Sequence, residues 1–269
     1  MAFIHEQPGW PVFSWDHEVL AGALVAVRYK QGRHLGRMEA LGFELRAEAS
    51  LTTLTDDVVK SSAIEGEHLD PAEVRSSIAQ KLGLDVAGLP APGREVEGIV
   101  EMMLDATRNF ETSLTAERLF SWHAALFPTG RSGMSRIIIG AWRTAESGPM
   151  QVVSGPIGRE KVHFEAPAAD RIETEMESYL QWFNAPPRVD PVLGSAIAHF
   201  WFVTIHPFED GNGRIARAIA DMALARADKT KERFYSMSSG IETERSEYYN
   251  QLESAQRGTL DITEWIVWF

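Results

Sequence analysis

The chain has 269 residues, no cysteine and a formal charge of −12 at pH 7. The missing cysteines exclude disulfides and thiolate metal centres, the acidic balance argues against broad nucleic-acid binding, and no run is long and apolar enough to span a bilayer. The opening Met1-Ala2-Phe3-Ile4-His5-Glu6 lacks the basic and apolar regions of a signal peptide, so a cytoplasmic protein with neither membrane nor nucleic acid as partner is expected.

The elements read almost wholly as helices. Trp15-Asp16-His17-Glu18 opens an apolar run through Leu20, Leu24 and Val27, and the pattern predicts a long helix over Met38 to Glu65. Leu51, Leu54, Val58 and Ile64 give that helix an apolar face, and Gly66 is a stop residue. Asp70-Pro71-Ala72-Glu73 predicts a fresh start, with Asp70 as N-cap, Pro71 at the first helical position and Glu73 completing a capping box. Leu89-Pro90-Ala91-Pro92-Gly93 reads as a linker. The expected organisation is therefore an N-terminal helical extension over residues 1–92 and a core over 93–269. Further helices are predicted near Glu95–Arg108, Thr115–Phe127, Asp170–Trp182 and Pro191–Ile205. Between them, Gln151-Val152-Val153 and Lys161-Val162-His163-Phe164 flank Ser154-Gly155-Pro156-Ile157-Gly158 as a β-hairpin would.

The densest chemistry lies in His206-Pro207-Phe208-Glu209-Asp210-Gly211-Asn212-Gly213-Arg214, followed by Ile215, Ala216 and Arg217. An imidazole titrates near neutral pH, which makes His206 a natural general base. Asp210 is an oxygen ligand suited to Mg²⁺, which takes one or two carboxylates from a protein and the rest of its shell from phosphate and water. Gly211-Asn212-Gly213 can turn its backbone N–H groups toward a phosphate. The segment Asn212 to Ala227 predicts a helix, which would place that turn at a positive helix end. Arg214 and Arg217 stand three residues apart on one face and can reach the same polyphosphate. As an EF-hand the run fails, because Arg214 stands where an oxygen ligand should be. Gly211 to Ala216 also fits the G-x-G-x-x-A dinucleotide fingerprint, but His-Pro-Phe-Glu-Asp intervenes where a tight turn is required and no alternating strand and helix pattern follows.

His206 to Arg217 matches H-x-F-x-(D/E)-G-N-G-R-x-x-R at every fixed position, and on that motif the chain resembles the Fic family. The resemblance implies a mainly α, Fic-type helical bundle with a small β-hairpin flap and an N-terminal helical extension. It implies a protein adenylyltransferase that moves AMP from ATP to a Ser, Thr or Tyr hydroxyl of a protein, with self-modification as one outcome. His206 would deprotonate the hydroxyl, and Asp210 would hold Mg²⁺ between the α- and β-phosphates. Asn212, Gly213 and Arg214, with the Gly211 turn, would hold those phosphates, and Arg217 would meet the γ-phosphate. Phe208 would anchor the loop in the core.

Upstream, Ser61-Ser62-Ala63-Ile64-Glu65-Gly66 is similar to the family's inhibitory motif (S/T)-x-x-x-E-(G/N), which implies that Glu65 pairs with Arg217 and obstructs the γ-phosphate. Trp10 to Trp15 and Val74 to Ser77 resemble the extension of bacterial Fic proteins that carry this helix ahead of the core. The hairpin would act as a flap, with Val152, Val153, Lys161 and Val162 aligning the target by strand addition. Tyr249 and Gln256 would lie on the adenine side. Altered chemistry, namely removal of AMP or transfer of another group, and a non-enzymatic ATP sensor are the competing readings. Asp261 to Phe269 begins an apolar helix that stops without a polar tail. This suggests a chain shortened before a further domain or a partner over Trp265, Trp268 and Phe269, and a homodimer is expected.

Overall fold

The computed structural model describes residues 3–156 and 158–269, so Ile157 of the predicted hairpin loop and the first two residues lie outside the described residues. The fold is mainly α, as the pattern predicts, with two-stranded sheets as its β elements among the described residues.

Helix α1 spans His17–Glu39, α2 Phe43–Ile64, α3 Pro71–Leu82, α4 Arg94–Arg108 and α5 Ala116–Leu126. Asp16 caps α1 by accepting the Glu18 and Val19 N–H groups at 2.8 and 3.1 Å. The single helix expected over Met38 to Glu65 is interrupted. Gly42, extended at ψ 158°, is the N-cap of α2, a break that glycine's poor helix propensity favours. Asp70 caps α3 through the Ala72 N–H at 2.8 Å, with Pro71 at its start. Glu73 makes a different bond from the one expected. Its carboxylate accepts the Gly93 N–H at 3.0 Å and so ties α3 to the start of α4.

After α5 come two short strands, β1 Arg131–Ser132 and β2 Ser135–Arg136, and then the hairpin of β3 Gln151–Ser154 with β4 Lys161–Glu165. In the hairpin Val152 opposes Phe164 while Val153 opposes Val162. The skipped residue, His163, is thus the extra residue of a β-bulge, which re-aims its side chain. Helix α6 spans Ile172–Asn184, α7 Pro191–Ile205, α8 Asn212–Asp228, α9 Met237–Thr243, α10 Arg245–Gln256 and α11 Thr263–Trp268.

The α7 and α8 pair forms the centre, with α4 and α2 beside α8. Helix α7 is apolar nearly all round, with Phe200, Phe202 and Ile205 fully buried, which is the signature of a helix enclosed by others. This also disposes of a strand at Phe200–Ile205. One buried cluster runs from Ile4 through Leu54, Val58 and Ile99 to Ile219 and Trp265, so the N-terminal helices share their core with the rest. The N-terminal strap is further zipped to the C-terminal segment, where Ser14 donates to the Leu260 carbonyl at 2.9 Å and accepts the Ile262 N–H at 3.0 Å. Trp265 is fully buried and its indole N–H donates to the Ala196 carbonyl at 3.0 Å, while Trp268 and Phe269 are half-buried against the core. The exposed aromatic patch offered above as the reason for a homodimer is therefore not formed. No helix among the described residues is long and apolar enough to cross a membrane.

Candidate active site

Helix α7 stops at His206, whose φ of 52° and ψ of 58° are left-handed, a conformation that costs a non-glycine residue roughly 1 kcal/mol. Arg143 holds it there. Its Nε donates to the His206 carbonyl at 2.8 Å, its Nη2 to the Pro167 carbonyl at 2.5 Å, and its own N–H to the Pro207 carbonyl at 2.9 Å. The His206 Nδ1 lies 3.1 Å from the Val203 carbonyl. A carbonyl only accepts, so Nδ1 carries the proton and Nε2 presents its lone pair. Burial lowers the imidazole below its ordinary value, against the opposing pull of the Val203 carbonyl. The ring is accordingly neutral at pH 7 and able to take a proton.

The loop after His206 is anchored from inside. Phe208 is fully buried and stacks on His123 with centroids 4.2 Å apart and planes at 6°. Burial pushes the His123 imidazole down to about 4, so it serves as a neutral aromatic plate. Asn212 closes the loop by accepting the Phe208 N–H at 2.9 Å and donating to the Phe208 carbonyl at 2.8 Å. Its side chain is thus spent on the loop, and what it can offer a phosphate is its backbone N–H. Glu209 accepts the Ile138 N–H at 2.7 Å. Gly211 sits at φ 81°, and a Cβ there would lie 2.9 Å from the Phe127 ring, so conformation and space both require glycine. It brings no side chain to cap α8, which leaves the first turn open to an anion.

Asp210 stands beside this helix start, where its carboxylate accepts the Gly211 N–H at 2.5 Å and a bond from the Ser132 hydroxyl. Among the described residues no group of three or more His, Asp or Glu side chains is placed to hold a metal. A single carboxylate fits a Mg²⁺ ion only if a polyphosphate and water complete its shell, which is the donor set that an anion at the α8 start would supply.

Both arginines of the motif are engaged by the end of α2. The Arg217 side chain is fully buried, with Nε on the Ser61 hydroxyl at 2.9 Å and Nη2 on the Ser61 carbonyl at 2.9 Å and on Glu65 Oε1 at 2.8 Å. Glu65 lies over the α8 start so closely that a Cβ on Gly213 would fall 2.2 Å from its Oε1. Arg214, also buried, donates to Glu67 Oε2 at 2.5 Å, and its guanidinium lies 5.0 Å above the Phe127 ring. The structure thus brings Ser61, Glu65, Asp210, Gly213, Arg214 and Arg217 together around one helix start.

Of the two residues expected to face adenine, Tyr249 is partly exposed and its hydroxyl donates to the Ile64 carbonyl at 3.3 Å. Gln256 is buried, with its amide donating to the Thr204 hydroxyl at 3.3 Å, so it faces the core rather than an open cleft. The hairpin is fastened to α10. His163 Nε2 meets the Ser154 hydroxyl at 2.5 Å and its Nδ1 meets Glu253 at 2.6 Å, while Arg257 donates to the Val162 and His163 carbonyls at 2.6 and 2.9 Å. Lys161 lies 3.6 Å from Glu253, and Val153 stays largely exposed.

Residues 113–224 match the Fic/DOC family model. This stretch of the chain is a Fic/DOC domain. Residues 3–84 match a second model, described as a domain of unknown function, DUF4172. Protein adenylyltransferase fic-1 of Caenorhabditis elegans is 27% identical over 206 residues, which are 76% of this chain and 37% of that protein. Protein adenylyltransferase Fic of Drosophila melanogaster is 34% identical over 87 residues, 32% of this chain and 16% of the relative. The chain thus spans little more than a third of the length of the fic-1 relative. Among solved structures, a Fic family protein from Desulfovibrio desulfuricans superposes with a TM-score of 0.64 at 24% identity, over 96% of this chain and 72% of the other. Residues 134–508 of C. elegans Fic-1 superpose with a TM-score of 0.58 at 19% identity, over 91% and 69%. At these identities the likeness supports the fold.

Arg143, His123 and Glu67 were not singled out by the sequence. Arg143 lies 63 residues before the loop it holds, and nothing local marks it. Glu67 stands two residues past Glu65 and was legible only as one more surface acid.

Proposed function

We propose that this chain is a protein adenylyltransferase that moves AMP from ATP to a hydroxyl of a protein and is held back by its own second helix. The observation that carries the reading is a neutral, Nε2-presenting His206 beside an uncapped helix start flanked by Asp210, Arg214 and Arg217. A bound Mg²⁺, held by Asp210, would neutralise charge on the α- and β-phosphates. Arg214 would bind those phosphates with the backbone N–H groups of Asn212 and Gly213, and Arg217 would bind the γ-phosphate. The target hydroxyl attacks the α-phosphorus, its proton passes to His206 Nε2, the bond from Pα to the bridging oxygen breaks, and pyrophosphate leaves. Glu65 opposes this by holding the guanidinium that the γ-phosphate needs, since one edge cannot serve both in bidentate geometry. In this account residues 1–92 are the extension that carries the brake and 93–269 the catalytic core. Val152, Val153, Lys161 and Val162 offer the hairpin to the backbone of the target, and Tyr249 borders the base. A cytoplasmic setting, where ATP is plentiful, suits the chemistry.

The test is incubation of wild type, Glu65→Gly and Glu65→Gly/His206→Ala with Mg²⁺ and ATP labelled at the α- or the γ-phosphate. Label on protein from the α position alone, strong in the single variant and lost in the double, is expected. Label from the γ position would overturn adenylyl transfer in favour of phosphoryl transfer. Label on the enzyme itself would register self-modification.

A further inference from the structure

We propose that Glu67 is a second nucleotide-excluding carboxylate, which opposes the α- and β-phosphates by occupying Arg214 as Glu65 opposes the γ-phosphate by occupying Arg217. The inference deepens the reading above and rests on its assignment of the two arginines to different phosphates.

The geometry begins with the end of α2. The Gly66 N–H bonds the Ala63 carbonyl at 3.0 Å and the Glu67 N–H bonds the Ser62 carbonyl at 3.0 Å, with Gly66 at φ 85°. These paired bonds are a Schellman turn, with Glu65 as the cap residue and Glu67 two beyond it. The remaining carbonyls of the helix end are also taken. Ser61 accepts from Arg217, and Ile64 accepts from Arg245 Nε at 2.7 Å and from the Tyr249 hydroxyl. Both carboxylates are therefore presented by one turn tied to the core, rather than by a free surface loop.

Each carboxylate meets a different cation. Glu65 takes Arg217 at 2.8 Å and Glu67 takes Arg214 at 2.5 Å. Arg214 is held over the face of the Phe127 ring, and its Nε is buried without a partner among the described residues. A guanidinium so enclosed cannot swing out to follow a ligand, so a phosphate that needs it must displace Glu67 where it stands. Burial above all, and then the nearby Asp210 and Glu65 carboxylates, hold Glu67 above its ordinary value against the opposing pull of Arg214, and an incoming polyphosphate meets the same two carboxylates. Removing Glu65 frees Arg217 and leaves Arg214 engaged. A nucleotide without a γ-phosphate is then opposed by Glu67 alone.

The test is calorimetric titration of the whole chain with Mg²⁺ and either ADP or ATP, in wild type, Glu65→Gln, Glu67→Gln, Glu67→Ala and the Glu65→Gln/Glu67→Gln double variant. Glu67 is half-exposed, and melting curves of each variant confirm that it folds. Both Glu67 variants are expected to tighten ADP about tenfold, the gain from freeing one charge-assisted hydrogen bond, whereas Glu65→Gln tightens ATP and leaves ADP within about twofold. If Glu65→Gln tightens ATP while the Glu67 variants leave ADP unchanged, this proposal fails and the assignment of Arg217 stands. If the double variant binds neither nucleotide, both readings of the site fall together.

Discussion

Replacing Glu65 with glycine should destabilise the empty protein and make it respond more to ATP. The Arg217 side chain is fully buried and its partner 31% exposed. Breaking a fully buried pair costs about 3–5 kcal/mol and breaking a surface pair about 0–1 kcal/mol. Arg217 keeps its bonds to the Ser61 hydroxyl and carbonyl, so the expected loss is about 2 kcal/mol, near 5 °C in Tm for a chain of this size. Nucleotide binding runs the other way. At ATP a hundredfold above the variant's Kd the variant gains about 2.7 kcal/mol, while a wild type whose affinity is tenfold weaker gains only about 1.4 kcal/mol at the same concentration. Differential scanning calorimetry with and without Mg²⁺ and ATP reads both effects. A variant that melts at the wild-type temperature, with an equal ATP shift in both proteins, would refute the claim that Glu65 and the γ-phosphate compete for Arg217.

Three further outcomes follow from other contacts. Burial holds His206 below its ordinary value, and the base must be neutral to act. Transfer by Glu65→Gly should therefore be flat from pH 8 to about 6.5 and fall only as pH drops through the lowered value; a rate that halves at or above pH 6.5 would contradict this. Arg143→Lys, made in the Glu65→Gly background, should cut kcat by about 10–100-fold and leave ATP affinity unchanged, because the Arg143 side chain is spent on the His206 and Pro167 carbonyls and acts by positioning the His206 turn; a change in affinity at constant kcat would show another role. Glu253→Ala removes the acceptor that fastens His163 to α10, and should raise KM for a protein target several-fold while ATP binding measured by calorimetry stays constant.

The signature was legible because its chemistry is contiguous, with His206, Asp210 and Arg214 falling within nine residues. The turn glycines, the α8 start and the buried Phe208 follow from local rules and are found as expected. Glu65 was legible through the resemblance alone, since a glutamate before a helix-ending glycine has no intrinsic mark. Glu67 and Arg143 depend on which distant segments meet, and one-dimensional patterning carries no such information. The same limit explains Trp265. An apolar helix face predicts burial without saying whether this chain or another supplies the cover, and here Ala196 and the α7 helix supply it. At Gly42 a signal was present, but the apolar pattern on both sides outweighed it. The bulge at His163 left no trace beyond a polar residue in a β-run, because it arises from register across the hairpin.

The most direct measurement is the initial rate of AMP transfer to protein at saturating Mg²⁺ and ATP, compared between wild type and Glu65→Gly at equal concentration. The account predicts that the variant is at least about tenfold faster, a difference of about 1.4 kcal/mol or more, and that adding His206→Ala abolishes the gain. Equal rates in wild type and Glu65→Gly would contradict it.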